Sequence, residues 1–119
     1  MSKVQSYKEL IAYQKGYEAV KMVYKRTGNF PKEEMYGLTS QMRRAAVSIP
    51  SNIAEGYMRG SKEYVQFLRI ALGSCAELET QLSLSKDLGY LNEADFQVIC
   101  NLNTEVIRLI TTYINKMRN

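Results

Sequence analysis

Apolar residues recur at alternating three- and four-residue intervals along four successive stretches of this 119-residue chain, and no run alternates with a period of two. An α-helix gathers such residues on one side, whereas a strand would split them between two faces. The third stretch is the plainest: Leu68, Ala71, Cys75, Leu78 and Leu82, with Ser61 as candidate cap and Gly89 as stop. The first runs through Leu10, Tyr13, Tyr17, Val20 and Tyr24, with Lys25 and Arg26 in the last turn and Gly28 after it. The segment NFPKEEMYG connects it onward, and Pro31 with Glu33 and Glu34 suits one short helical turn ended by Gly37. Thr39 is placed to cap a second helix running to about Tyr57, with core face Met42, Ala46, Ile49, Ile53 and Tyr57. Asn92 with Asp95 forms a capping-box-like start for a fourth, whose core face reads Leu102, Val106, Leu109, Tyr113 and Met117. Short second and third connections set neighbouring helices antiparallel. The expectation is a single all-α domain over residues 1–119: an antiparallel, up-down-up-down four-helix bundle.

One residue sits oddly in this plan. Pro50 falls inside the second stretch, where it removes one backbone hydrogen bond and costs about 3 kcal/mol. The apolar period continues on both sides, so the helix is expected to be kinked at Pro50 rather than to end there. The orphaned Ala46 carbonyl then needs a donor, which a serine hydroxyl or the Asn52 amide can supply. Small residues crowd the region, and Gly73 inside the third helix suggests close helix approach as compensation for its lost propensity. The simpler account of SIPSNIAEG is a kinked helix on a small-residue face, with Ser48, Pro50, Asn52 and Glu55 forming a structural polar layer. The alternative is a dedicated ligand site.

Composition narrows the function. A chain of this size buries roughly two thirds of its unfolded surface, and 45% hydrophobic with 24% charged residues is a globular balance. Cys75 and Cys100 form no CxxC and read as thiols in a reducing compartment. The opening MSKVQSYKEL has no apolar run, and the longest apolar stretch, VIRLITTYI, contains Arg108. A soluble, cytoplasmic protein is expected. There is no histidine, which removes the commonest general base and metal ligand. No Glu-x-x-His pair supports a di-metal bundle site, and neither GLTSQ nor GSKEY has phosphate-loop spacing. Neither enzymatic activity nor a cofactor or metal is expected.

Net charge is +4 and the pI about 9.1. Residues 1–32 carry seven Lys and Arg against two Glu, while the remainder is slightly acidic. Such polarity points to an acidic partner, nucleic acid first, with a merely solvated helix face as the competing account. On an ideal helix Lys8, Lys15, Lys21, Lys25 and Arg26 share an arc of about 140°, a layout suited to phosphates. A second basic set, Arg43, Arg44, Arg59, Lys62 and Arg69, is open to phosphate binding or to pairing with Glu55, Glu63, Glu77 and Glu79. Nine tyrosines and no tryptophan are present. Tyr13, Tyr17 and Tyr24 fit a core or subunit seam better than a platform for bases. Tyr7, Ile11, Met22 and Val23 on the first helix, and Ile99, Ile110 and Ile114 on the fourth, lie beyond the assigned seams. Surplus apolar stripes of this kind suggest self-association.

The stretch from Phe30 to Leu82, and within it QMRRAAVSIPSNIAEG (41–56) and GSCAELETQL (73–82), resembles the four-helix bundle proteins also called 23S rRNA-intervening-sequence proteins. The likeness runs from about Tyr7 to Tyr113. It implies a bundle that assembles into a ring, commonly a pentamer. It also implies kinship with the accessory variability proteins of diversity-generating retroelements, which bind nucleic acid and a reverse transcriptase. The members found within rRNA insertions have no established activity. The end VIRLITTYINKMRN lacks the Met-Leu pair of many relatives, which bears on a helix-four subunit contact, and Gly16 stands where alanine is usual. Two functions follow as expectations. The first is a non-enzymatic, self-assembling basic platform binding RNA or DNA through backbone phosphates. The alternative is a scaffold whose ring holds a partner enzyme such as a reverse transcriptase. No membrane partner is expected.

Overall fold

Four helices account for most of the chain: α1 (Ile11–Thr27), α2 (Leu38–Arg59), α3 (Ser61–Asp87) and α4 (Glu93–Met117). The computed structural model describes residues 6–118; the first residues of the opening segment read above for a leader lie outside them. A 3-10 turn, Tyr7–Glu9, precedes α1, and another, Lys32–Glu34, lies in the α1–α2 connector. Among the described residues there is no strand, and no helix is long and apolar enough to cross a membrane. The molecule measures 47 × 23 × 23 Å.

Cross-contacts define the arrangement. Met42–Ser85, Ser48–Ser74 and Gly56–Phe67 join α2 to α3, so numbering rises along one helix as it falls along the other. Lys15–Glu105 with Arg26–Asp95 gives the same reversed order for α1 and α4. Cys75–Asn103 with Tyr64–Tyr113 gives it for α3 and α4.

Helices α2 and α3 bury the stripes read from the sequence. Met42, Ala46, Ile49 and Ile53 face Leu68, Ala71, Cys75, Leu78 and Leu82, all essentially inaccessible. Each such aliphatic side chain contributes about 1.5–3 kcal/mol. Helix α2 continues unbroken through Pro50 to Arg59, beyond the expected end near Tyr57. Gly56 is required here: a Cβ on it would lie 2.5 Å from Phe67 Cβ.

Helices α1 and α4 correct the expected seams by about one residue each. The buried residues of α1 are Gly16, Ala19, Val23 and Thr27, not the line through Leu10, Tyr13, Tyr17, Val20 and Tyr24. Tyr17 is 52% exposed and Tyr24 45%, while Leu10, Tyr13 and Val20 pack at the flank of the core. The reason is close approach. A Cβ on Gly16 would lie 3.3 Å from Ile49 Cγ2, a tight fit, and 3.6 Å from Pro50 Cδ, an ordinary contact, so a small residue packs well at this point. In α4 the buried residues are Ile99, Asn103, Val106, Ile110 and Ile114. Of the expected face only Val106 is buried; Leu102, Leu109 and Tyr113 are half-buried and Met117 is exposed. Val23, Ile99, Ile110 and Ile114 are therefore core residues and supply no surplus stripe for self-association.

Asn103 hid the α4 stripe, because a polar residue interrupts it. Its Nδ2 donates to the Cys75 carbonyl at 2.9 Å, while its Oδ1 has no partner among the described residues. Cys75 and Cys100 are both free thiols.

The helix ends also differ in detail. Thr39 does not cap α2; it is buried in the first turn, and Glu34 Oε1 instead accepts from Leu38 N at 3.1 Å. Glu34 Oε2 accepts from the Tyr90 hydroxyl at 3.1 Å, tying this connector to the turn between α3 and α4. Ser61 is the first residue of α3 and not its cap; Gly60, at φ 104°, makes the turn. Gly89, at φ 81°, ends α3, with Gly89 N bonded to Lys86 O and Tyr90 N to Ser85 O. That pair of bonds is the Schellman arrangement. Asn92 caps α4 as read, accepting from Asp95 N at 2.8 Å. Gly73 does not mark a close approach within the chain: nothing lies within 4 Å of a Cβ built on it.

Candidate nucleic-acid interface

The first-helix cations do not form one row. Lys8 belongs to the separate 3-10 turn before α1. Lys15 pairs with Glu105 at 3.3 Å and Lys21 with Glu18 at 3.1 Å. Arg26 Nε lies 3.2 Å from Asp95 Oδ1, an ion pair whose angle is not that of a hydrogen bond. Lys8 and Lys25 make no ion pair among the described residues, and both are exposed.

The second basic set is divided: Arg43 and Arg44 lie toward the start of α2, Arg59 at its end about 24 Å from Arg43 by helical rise, and Lys62 and Arg69 on α3. At the α2–α3 turn, Arg59 pairs with Glu55 at 3.0 Å and with Glu63 at 3.3 Å. Those carboxylates raise the Arg59 pKa, chiefly through the hydrogen bond to Glu55. Pairing is thus the outcome at this arginine. Arg44, Lys62 and Arg69 are exposed and form no ion pair among the described residues.

Arg43 is held without a carboxylate. Its Nε donates to Thr27 Oγ1 at 3.0 Å, and the Thr27 hydroxyl donates to the Val23 carbonyl at 2.7 Å. Its Nη2 reaches the Tyr24 carbonyl at 3.5 Å, and its guanidinium lies over the Tyr24 ring at 4.6 Å. The side chain is fixed, yet three of its five N–H donors stay available.

The expected polar layer is smaller than read and differently composed. Asn52 Nδ2 donates to the Ser48 carbonyl at 2.8 Å and to Ser48 Oγ at 2.9 Å, and Ser48 Oγ lies 2.8 Å from Ser74 Oγ. The Asn52 amide is spent on Ser48 instead of the Ala46 carbonyl. Pro50 is buried against α1, and Glu55 stands on the exposed surface with Arg59.

These elements frame a groove of about 680 Å³ whose lining includes Tyr24, Met35, Tyr36, Arg43, Arg44 and Asn52. Val47 and Ser51 also line an adjoining groove of about 400 Å³ that holds Tyr7, Tyr13, Tyr17 and Lys21. The tyrosine line of α1 therefore borders an outer trough between α1 and α2. Its rings touch in series: Tyr7 and Tyr13 lie 5.1 Å apart and Tyr13 and Tyr17 5.9 Å, with Lys21 5.8 Å over Tyr17. Burial, and then the neighbouring Tyr7 and Tyr17 hydroxyls, push the Tyr13 pKa up. Among the described residues no Asp or Glu lines either groove. Tyr36 is 96% exposed. Tyr36, Met35, Val47 and Thr27 were not singled out in the sequence. An aromatic residue beside the connector-ending Gly37 was the one available signal; the rest needed the α1–α2 packing.

The 23S rRNA-intervening sequence protein model matches residues 8–112. This chain belongs to that family. A solved structure of the same shape supports the assignment: a protein of unknown function from the S23 ribosomal protein family of Bacteroides thetaiotaomicron. It superposes with a TM-score of 0.78 at 25% identity, covering 88% of this chain and 96% of its own. No curated protein matches. The family match covers both elements of the trough, α1 and α2, together with the connector that carries Tyr36.

Proposed function

We propose that this intervening-sequence-family protein is a non-enzymatic, self-assembling helical bundle that binds RNA or DNA through backbone phosphates. The observation that carries the reading is the trough between α1 and α2. It presents Arg43 and Arg44, neither of which pairs with a carboxylate among the described residues, and no Asp or Glu is among its lining residues; Lys21, at its α1 side, pairs with Glu18 at 3.1 Å. Outside the trough Lys15, Arg26 and Arg59 each face an acid, while Lys8, Lys25, Lys62 and Arg69 are also unpaired among the described residues but do not line it. Cations left without acids favour a phosphate partner. Self-assembly draws support from exposed Ile70, Leu84 and Leu88 along α3, with open space beside Gly73. Repeating the trough in each subunit would raise avidity even if one copy binds weakly.

The test is binding to structured RNA and to duplex DNA over a salt series, with mass measured in the same solutions. Log affinity is expected to fall with log salt by roughly 0.9 for each duplex phosphate neutralised. Mass is expected above the 13.7 kDa of one chain. Replacing Arg43 and Arg44 with Gln should weaken binding to every sequence alike. Replacing Lys8, Lys15, Lys21, Lys25 and Arg26 with Gln should weaken it less per charge removed, since three of those five already face carboxylates. No binding by the wild type at low salt would overturn the nucleic-acid reading and favour a protein scaffold. A monomer at micromolar concentration would overturn self-assembly.

A further inference from the structure

We infer that the α1–α2 trough takes unpaired nucleotides, with bases stacked on its tyrosines and phosphates held by Arg43 and Arg44. This rests on the nucleic-acid reading and makes it narrower. Duplex phosphates need only cations on a surface. The trough offers something more: aromatic faces set beside Arg43 and Arg44, with no Asp or Glu among its lining residues and the nearby Glu18 carboxylate paired with Lys21. Tyr17 and Tyr24 stand two turns apart on α1, about 10 Å by helical rise, and Tyr36 faces solvent almost entirely from the connector. An exposed ring gains little from water but can stack on any base. A duplex keeps its bases stacked on one another and has none to offer, whereas a single strand does. Arg43 already lies over Tyr24, its guanidinium carbon 4.6 Å from the ring centre and its Nε held by Thr27, so the guanidinium adds to the surface a base can meet while its free N–H groups can reach a phosphate. The Ser51 hydroxyl and the Asn52 Oδ1 acceptor supply hydrogen-bonding groups at the same trough, next to the apolar Val47 and Met35. The open shape favours a chain passing along it over an enclosed small molecule.

The experiment compares an unstructured oligouridine with an RNA hairpin of equal length, at matched salt, on the wild-type protein and three variants. Tyr36→Ala is safe for the fold because that side chain is exposed. It should lower single-strand affinity by roughly 5- to 150-fold, the range for loss of one base–aromatic stack. Hairpin affinity and the salt slope should stay unchanged. Tyr36→Phe should retain wild-type affinity, since the ring and not the hydroxyl does the stacking. Arg43→Lys keeps the charge and loses the plane; it should weaken the single strand more than the hairpin. Equal affinity for both probes, with no response to Tyr36→Ala, would overturn the inference while leaving the phosphate reading standing. Absence of binding to either probe would remove both. A fall in mass on Tyr36→Ala, at unchanged helicity, would identify the trough as a seam between copies of this chain and overturn the inference.

Discussion

The α2–α3 pair and the α1–α4 pair are built from similar materials, yet only the first pair shows its buried face plainly in the sequence. In α2 and α3 the stripes Met42–Ile53 and Leu68–Leu82 are the driest positions, and the remaining surface is largely Arg, Glu, Gln, Ser and Lys, with Val47, Met58, Ile70 and Leu84 as exposed apolar exceptions. In α1 and α4 apolar or aromatic residues occupy two adjacent stripes. Tyr13, Tyr17 and Tyr24 compete with Gly16, Ala19 and Val23, and Leu102, Leu109 and Tyr113 compete with Ile99, Ile110 and Ile114. Ring size made the tyrosine stripe look like the core. Packing chose the smaller stripe, which fits closely against α2: a Cβ on Gly16 would already meet Ile49 Cγ2 at 3.3 Å. Periodicity thus identifies a helix wherever it occurs, but it identifies the buried side only where the alternative is polar.

The sharpest way to break this comparison is to truncate the two candidate faces of α4. Ile110→Ala should cost roughly 2–5 kcal/mol in urea unfolding, the usual loss for a buried aliphatic residue, and Leu109→Ala less than half of that. The reverse order would restore the face first read from the sequence.

Alkali should probe the α2–α3 side next. Burial pushes the Cys75 thiol from 9.0 up to about 12, and the Tyr64 hydroxyl from 10.0 up to about 12. Both groups hold their protons more tightly when folded, so their contribution to stability is level below about pH 9 and falls as the pH rises toward 12. The loss from Cys75 is on the order of 3 kcal/mol by pH 12. Unfolding curves at stepped pH check this, and Cys75→Ser, which has no thiolate to form, should flatten the decline. In the native protein at pH 8 a thiol reagent should label half-buried Cys100 before buried Cys75, although burial raises the Cys100 thiol pKa as well.

Two glycines sharpen the comparison within the pair. Gly56→Ala should destabilise by about 1–3 kcal/mol, since its Cβ would strike Phe67. Gly73→Ala should stabilise by about 0.5–1 kcal/mol, because the helix gains propensity and the added methyl meets nothing. Destabilisation of the assembled protein by Gly73→Ala would show that another chain packs closely on this glycine. The smallest effect belongs to Arg59→Gln, whose fully exposed pairs with Glu55 and Glu63 are screened by water. A thermal melt that moves outside experimental error would contradict that.

The candidate site was partly legible. Arg43 and Arg44 stood out as adjacent arginines before the proline, and the Arg59 pairing with Glu55 and Glu63 was foreseeable from spacing of four on a helix. The joining of Arg43 to Tyr24 and Thr27 was not, since those residues are sixteen or more positions apart and meet only because α1 docks on α2. Nor was the loss of Lys15 and Arg26 to Glu105 and Asp95, which depends on which way α1 turns toward α4.

By itself the sequence determined that this chain is helical, how many long helices it has, where Gly28, Gly60 and Gly89 break them, and which side of α2 and α3 is dry. Those properties follow from local spacing, capping and backbone freedom, each set within a turn or two of chain. Only the tertiary structure decided the facing of α1 and α4, the exposure of the tyrosine line, and which cations keep their charge unpaired. The physical reason is that these depend on distances between helices. With Gly16, Ala19 and Val23 packed inward, the tyrosines stand on the outer side of α1, where Tyr24 meets Arg43.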